Sequence, residues 1–95
     1  MNEITATIIL GNSDNKLTQV QWAEFVSEIK EVLEDYFCIF EFFGGSPNYM
    51  NWQNVCWVIR FQDYCLLGLK DDIKRVREGF RQDSVAWIVG EPEFI

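Results

Sequence analysis

Apolar positions along the chain change period several times, and each change predicts an element. Residues 3–10 (EITATIIL) are rich in β-branched side chains and end at Gly11-Asn12-Ser13-Asp14-Asn15, which predicts a first strand. Trp22, Phe25, Val26, Ile29, Val32, Leu33 and Tyr36 then recur at spacings of three and four, with Glu24, Glu28, Glu31, Glu34 and Asp35 between them. That pattern predicts an amphipathic helix with an acidic outer face. Thr18 followed three residues on by Gln21 is a capping-box start for it. Residues 37–43 (FCIFEFF) are too short and too aromatic for a helix and predict a second strand, broken by Gly44-Gly45-Ser46-Pro47. Residues 54–61 (NVCWVIRF) predict a third strand. Leu66, Leu69, Ile73, Val76 and Phe80 keep a helical period, with Asp63 placed to cap that second helix and Gly68 and Gly79 weakening it. Residues 84–89 (SVAWIV) predict the last strand, ahead of a short tail.

Strand-helix-strand twice over, joined by a wide hairpin, sets a topology. Each crossover joins parallel strands, and the hairpin makes strands two and three antiparallel. The simplest solution is an α+β fold of ferredoxin-like β-α-β-β-α-β order. It has a four-stranded antiparallel sheet in the order 4-1-3-2 and two helices on one face. Ninety-five residues make one domain, residues 1–95, with no linker or repeat. This topology sends three loops, residues 11–17, 44–53 and 81–84, to a common end of the sheet. The face away from the helices reads almost as apolar as the covered one, with only Glu41 and Arg60 interrupting strands two and three. Such a face is rarely left in water, so the expectation is a homodimer, a partner or the C-terminal tail against it.

Charge sharpens the picture. The formal net charge is −7, yet five basic residues against three acids between positions 70 and 81 make that stretch +2 and leave the remainder at −9. An acidic body disfavours nucleic acid, whose affinity rests on Lys and Arg at phosphates. Three scattered cysteines are no disulfide framework, and Cys38 and Cys56 sit in apolar runs. With no basic leader and no apolar run long enough to cross a bilayer, the expectation is a cytoplasmic protein without membrane contact.

Composition also narrows the chemistry. There is no histidine, which removes histidine bases and His-dependent nucleophiles, and three cysteines cannot supply a four-ligand zinc site. Residues 12–15 (NSDN) lack the alternating acids and closing Glu of a calcium loop. No cofactor, metal or catalytic residue is expected. Cys65, at the start of the basic helix, is read as structural. Asp14 and Asp83 fall at the same end of the sheet and would be the acid–base pair of a small lyase or isomerase; as a turn residue, Asp14 has a simpler explanation.

The segment 44–54 (GGSPNYMNWQN) is the most informative. Gly44-Gly45 permits close backbone approach. Asn48, Asn51, Gln53 and Asn54 carry neutral amides that donate and accept, and Tyr49 and Trp52 offer flat faces for stacking. The competing reading is a rigid loop whose Trp52 packs on the core edge and whose amides close turns. A ligand site here comprises Asn12, Asp14, Lys16, Ser46, Asn48, Tyr49, Asn51, Trp52, Arg81 and Gln82. Trp52 and Tyr49 would stack, Asn48, Asn51 and Gln82 would bond the edges, and Arg81 or Lys16 would meet a phosphate. The stripe Lys70, Lys74 and Arg77 lies on one helical face; it is either a solvated surface pairing with Asp71 and Glu78, or a phosphate contact.

Thr18-x-x-x-Trp22-x-x-Phe25-Val26, a Gly-Gly loop containing Trp52, and Phe80-Arg81-Gln82-Asp83-Ser84-Val85 together span most of the chain. This layout resembles small bacterial and phage proteins of unknown function with a ferredoxin-like fold. In size and acidity the chain is similar in type to phage-encoded anti-defence proteins. Three functions are therefore expected in order. The first is a non-enzymatic sponge that sequesters a small polar, nucleotide-derived molecule where the loops meet. The second is an acidic inhibitor of a host defence protein. The third is a small lyase or isomerase using Asp14, Asp83 or Glu41.

Overall fold

The structure is a computed structural model and describes residues 2–12, 16–46, 53–90, 93 and 95. Strand β1 (Glu3–Gly11) leads to helix α1 (Gln19–Asp35) and strand β2 (Ile39–Gly45). Strand β3 (Asn54–Gln62), one 3₁₀ turn (Asp63–Cys65), helix α2 (Leu66–Gly79) and strand β4 (Ala86–Val89) follow. The four strands form one antiparallel sheet in the order β2-β3-β1-β4, which is 4-1-3-2 read from the other edge. The fold is α+β, with an order consistent with the ferredoxin-like arrangement.

Alternation on the two central strands builds the core. Ala6, Ile8 and Leu10 of β1 lie opposite Ile59, Trp57 and Val55 of β3. All but Val55, which is half-buried at the edge, join Phe61 in one buried cluster with Trp22, Phe25, Ile29 and Leu33 of α1 and Leu69 and Ile73 of α2. Both helices therefore cover the same face. They also touch each other, and the Tyr36 hydroxyl donates to Asp72 Oδ2 at 2.7 Å. That bond to a carboxylate is the main reason the Tyr36 phenol is pushed above its ordinary range, with burial second.

The capping box at α1 is complete: Thr18 Oγ1 accepts from the Gln21 amide at 3.2 Å, and Gln21 Oε1 accepts from the Thr18 amide at 2.9 Å. The expected Asp63 cap is corrected. Asp63 begins the 3₁₀ turn, and Cys65, itself right-handed helical, leads straight into α2 with no side-chain cap. A chain that enters a helix through a tighter helical turn already has its first amides turned onto that turn's carbonyls.

Both helices end in the same way. At α1 the Phe37 amide donates to Glu34 O and the Cys38 amide to Leu33 O, at 3.0 and 3.1 Å. At α2 the Arg81 amide donates to Glu78 O and the Gln82 amide to Arg77 O, at 3.0 and 3.1 Å. This pair of bonds is the Schellman motif, and the residue after each cap takes a left-handed backbone. Those residues are Phe37 and Arg81, each at φ 57° and neither a glycine. Strand β2 consequently starts at Ile39, not Phe37, because Phe37 closes the helix and Cys38 turns into the core.

Strict alternation along β2 puts Phe37, Ile39 and Phe43 on one face and Cys38, Phe40 and Phe42 on the other, and the structure departs from it. The register slips between Phe40 and Phe42, leaving Glu41 as an extra residue. Phe40 and Phe43 therefore lie opposite Ile59 and Trp57 of the covered face, while Ile39 and Phe42 lie opposite Arg60 and Val58 of the open one. The bulge brings Glu41 Oε1 to 3.0 Å from Arg60 Nε, with Glu3 Oε2 at 3.6 Å. The last strand is also shorter than expected, since Ser84 and Val85 precede the paired residues Ala86–Val89.

Candidate functional site

Strand pairing places the loop ends. Gly11 lies opposite Asn54, Gly45 opposite Val55, and Ile9 opposite Ala86, so β1 and β2 end where β3 and β4 begin. Two contacts then tie the loops together. Asn12 is fully buried; its amide donates to Gln53 O at 2.8 Å, and its Nδ2 reaches Leu17 O at 3.1 Å and Gln53 Oε1 at 3.4 Å. Its Oδ1 accepts from the Leu17 amide at 3.1 Å. Gln53, also buried, exchanges amide bonds with Gln19 at 3.0 and 2.9 Å. On the other side Lys16 Nζ lies 3.6 Å from Asp83 Oδ2.

These bonds decide what each expected site residue has left to offer. Asn12 spends its side-chain amide inside the protein and acts as a clasp between the first two loops. Ser46 Oγ accepts from the Asn54 amide at 2.8 Å and closes the end of the β2–β3 pair. Gln82 is buried, with Nε2 donating to Phe80 O at 3.3 Å. Asp14, Asn48, Tyr49, Asn51 and Trp52 lie outside the described residues. Gly45 also has a structural reason: a Cβ there would run into the Asn54 carbonyl. The glycine is needed for strand approach.

Lys16 and Arg81 do come together. With Leu17, Gln21, Glu24, Gly79 and Phe80 they line a cleft of about 550 Å³ between the start of α1 and the end of α2. Phe80 forms the wall on the core side, stacked on Phe25 with ring centroids 5.1 Å apart. Arg81 projects from the left-handed position after α2, so the helix terminus sets its direction. Among the described residues Arg81 has no ion-pair partner. The cleft holds two cations and one carboxylate, Glu24, in a chain of net charge −7. Arg81 can offer its guanidinium donors to an anionic group there, while Lys16 is also held by Asp83 at 3.6 Å.

Sequence reasoning missed a second cleft, of about 350 Å³, between α2 and β4. It is lined by Lys70, Asp71, Ile73, Lys74, Arg77, Asp83, Ser84, Val85 and Trp87. The basic stripe pointed toward it, but nothing in the sequence said that β4 would stand beside it. Among the described residues no group of three or more His, Cys, Asp or Glu is placed to hold a metal ion. No helix there is long and apolar enough to cross a membrane. All three cysteines are free.

Fold and clefts define the class: a small α+β domain with one antiparallel four-stranded sheet and a charged cleft at the loop end. No protein-family model matches the chain, and no curated protein matches it. Among solved structures it is similar to formyltetrahydrofolate deformylase from Burkholderia mallei ATCC 23344, at a TM-score of 0.57 and 14% identity. That match covers 96% of this chain and 28% of the deformylase chain. At such identity the likeness shows the fold alone, and this chain spans little more than a quarter of the enzyme's length.

Proposed function

We propose that this chain is a non-enzymatic, cytoplasmic binding protein of ferredoxin-like fold. It sequesters a small polar, nucleotide-derived molecule at the loop end of the sheet, as a phage counter-defence sponge would. The observation that carries the reading is the 550 Å³ cleft in which Lys16 and Arg81, from different loops, stand together beside Phe80. Arg81 is the phosphate contact, since a guanidinium presents a planar fork of donors to an oxyanion. Lys16, which also pairs with Asp83, adds a second positive charge beside it, and Phe80 and Leu17 supply apolar wall.

The test is to purify the protein from cells that make it naturally, denature it, and identify released small molecules by mass spectrometry. The expected result is an intact phosphorylated compound in near-equal amount to protein, reduced at least about tenfold by Arg81→Gln, because a tenfold loss needs only ~1.4 kcal/mol of lost contact. Protein that releases nothing, or a variant that releases as much as wild type, overturns the reading.

A specific observation favours a second binding event. The open sheet face exposes Phe42 at 54% and Ile88 at 55%, beside Ile9 and Ile39. Its one charged cluster, Glu3–Arg60–Glu41, is paired within itself. Thr5 and Thr7 share this face with the paired Arg60, but the side chains it exposes most, Phe42, Ile88, Ile39 and Ile9, are apolar; that suits a second copy of this chain, and the reading is a homodimer through it. Phe42→Glu should convert the dimer to monomer in analytical ultracentrifugation; a wild-type monomer at high concentration would remove this reading and leave the ligand reading intact.

A further inference from the structure

The cleft between α2 and β4 stands apart from the rim cleft, and no function has been assigned to it. Its outer wall is the basic stripe: Lys70 and Lys74 are one helical turn apart, and Arg77 follows at the next position on that face. Its floor is apolar. Ile73 is buried in the core, Val85 packs on the core from the segment before β4, and Trp87 is half-buried with its ring 5.9 Å from that of Phe61.

The three cations are held differently. Arg77 Nη1 donates to Gln82 O at 3.0 Å and to Asp83 O at 2.9 Å. Two carbonyls therefore fix the guanidinium, leaving its Nη2 and Nε donors uncommitted. Lys70 and Lys74 have no ion pair among the described residues, although Asp71 lies between them in sequence and Arg75 has taken Asp72 at 3.2 Å. Of the two acids on the cleft, Asp83 is engaged from outside by Lys16 at 3.6 Å. Three cations thus face the cleft, with Asp71 as the one carboxylate not already paired. A chain of net charge −7 that keeps this much positive charge in one apolar-floored cleft has a local field opposite to its own average.

We propose that this cleft binds a small amphipathic anion. Its phosphate, sulfate or carboxylate group would sit between Lys70, Lys74 and Arg77, and its ring or short apolar body would lie on Ile73, Val85 and Trp87. Ser84 adds a hydroxyl at the β4 end. The volume of about 350 Å³ is at the lower end of small-molecule sites, which fits one ring and one anionic group and excludes a dinucleotide. The proposal does not depend on the rim reading.

The test is amide and indole chemical-shift titration of the full chain with phenyl phosphate, with inorganic phosphate and benzyl alcohol in parallel. Phenyl phosphate should shift the α2 and β4 amides and the Trp87 indole, and bind at least about tenfold tighter than either half-probe. Paired Lys70→Gln and Lys74→Gln substitutions, both on an exposed helix surface, should weaken it about tenfold while Lys30→Gln leaves it unchanged. Shifts confined to the amides around Leu17 and Arg81 would overturn this proposal and support the rim. Equal affinity for inorganic phosphate would overturn the role of the apolar floor. A double variant that melts like wild type and still binds normally would overturn the role of the lysines.

Discussion

Asn12 and Gln53 are buried against each other across the first and second loops, joined by a backbone bond of 2.8 Å and a side-chain contact of 3.4 Å. Three atoms depend on the Asn12 amide: the Leu17 amide, the Leu17 carbonyl and Gln53 Oε1. Asn12→Ala leaves them without that partner in a site closed to water. The expected cost is about 2–3 kcal/mol in urea unfolding, against under about 1 kcal/mol for Ser46→Ala at the exposed end of the hairpin. Equal costs would show that the clasp contributes no more than a surface bond.

The adjacent glycines should behave differently. A Cβ on Gly44 would lie 2.9 Å from the tip of the Phe42 ring, an exposed side chain with room to turn. A Cβ on Gly45 would meet the Asn54 carbonyl and, at 3.0 Å, the Val55 Cα, neither of which moves without breaking the β2–β3 pair. Gly45→Ala should lower the thermal midpoint well below that of Gly44→Ala. A Gly45 variant as stable as wild type would mean that the strands separate there at little cost.

The elements that were legible in the sequence are those with a local signal. The Thr18–Gln21 pair marked the start of α1, and β-branched and aromatic runs marked β1 and β3. The sheet order followed from two crossovers and a hairpin. What escaped had no such signal. The left-handed residues that follow the two helix caps are Phe37 and Arg81, and only a glycine in those places would have announced them. The Glu41 bulge puts Phe40 and Phe42 on opposite faces, and a run of aromatics reads the same in either register. Of the expected site, Lys16 and Arg81 line one cleft; Asn12 and Gln82 turned inward because a buried amide must find partners, and composition does not say whether those are protein or ligand.

Phe37 offers a direct check on the helix ends. It is 89% exposed, so its ring contributes little packing, while its backbone is left-handed. That conformation costs a non-glycine residue roughly 1–2 kcal/mol, partly offset by the greater unfolded-state freedom of glycine. Phe37→Gly should therefore stabilise the fold by about 0.5–1 kcal/mol, and Phe37→Val, β-branched, should destabilise it. A loss of stability on Phe37→Gly would mean that the exposed ring makes contacts that matter to the fold.

Cys38 gives the fold a dependence on alkaline pH. The residue is 8% exposed, and burial first, then charge on Cys65, pushes its thiol up to about 11. An unfolded thiol ionises near ~8.5. Below that pH both states hold the proton and the full contribution to stability is present. Between roughly 8.5 and the folded value the unfolded chain releases its proton while the folded chain keeps it, so stability falls as pH rises. Every other ionisable group is common to wild type and Cys38→Ala, so the difference between the two isolates the thiol. Urea midpoints should show wild type losing ground to Cys38→Ala from about pH 8 to about pH 10.5, and native Cys38 should react slowly with a thiol reagent that labels it at once in urea. A difference that stays flat across that range would place the Cys38 thiol in contact with solvent.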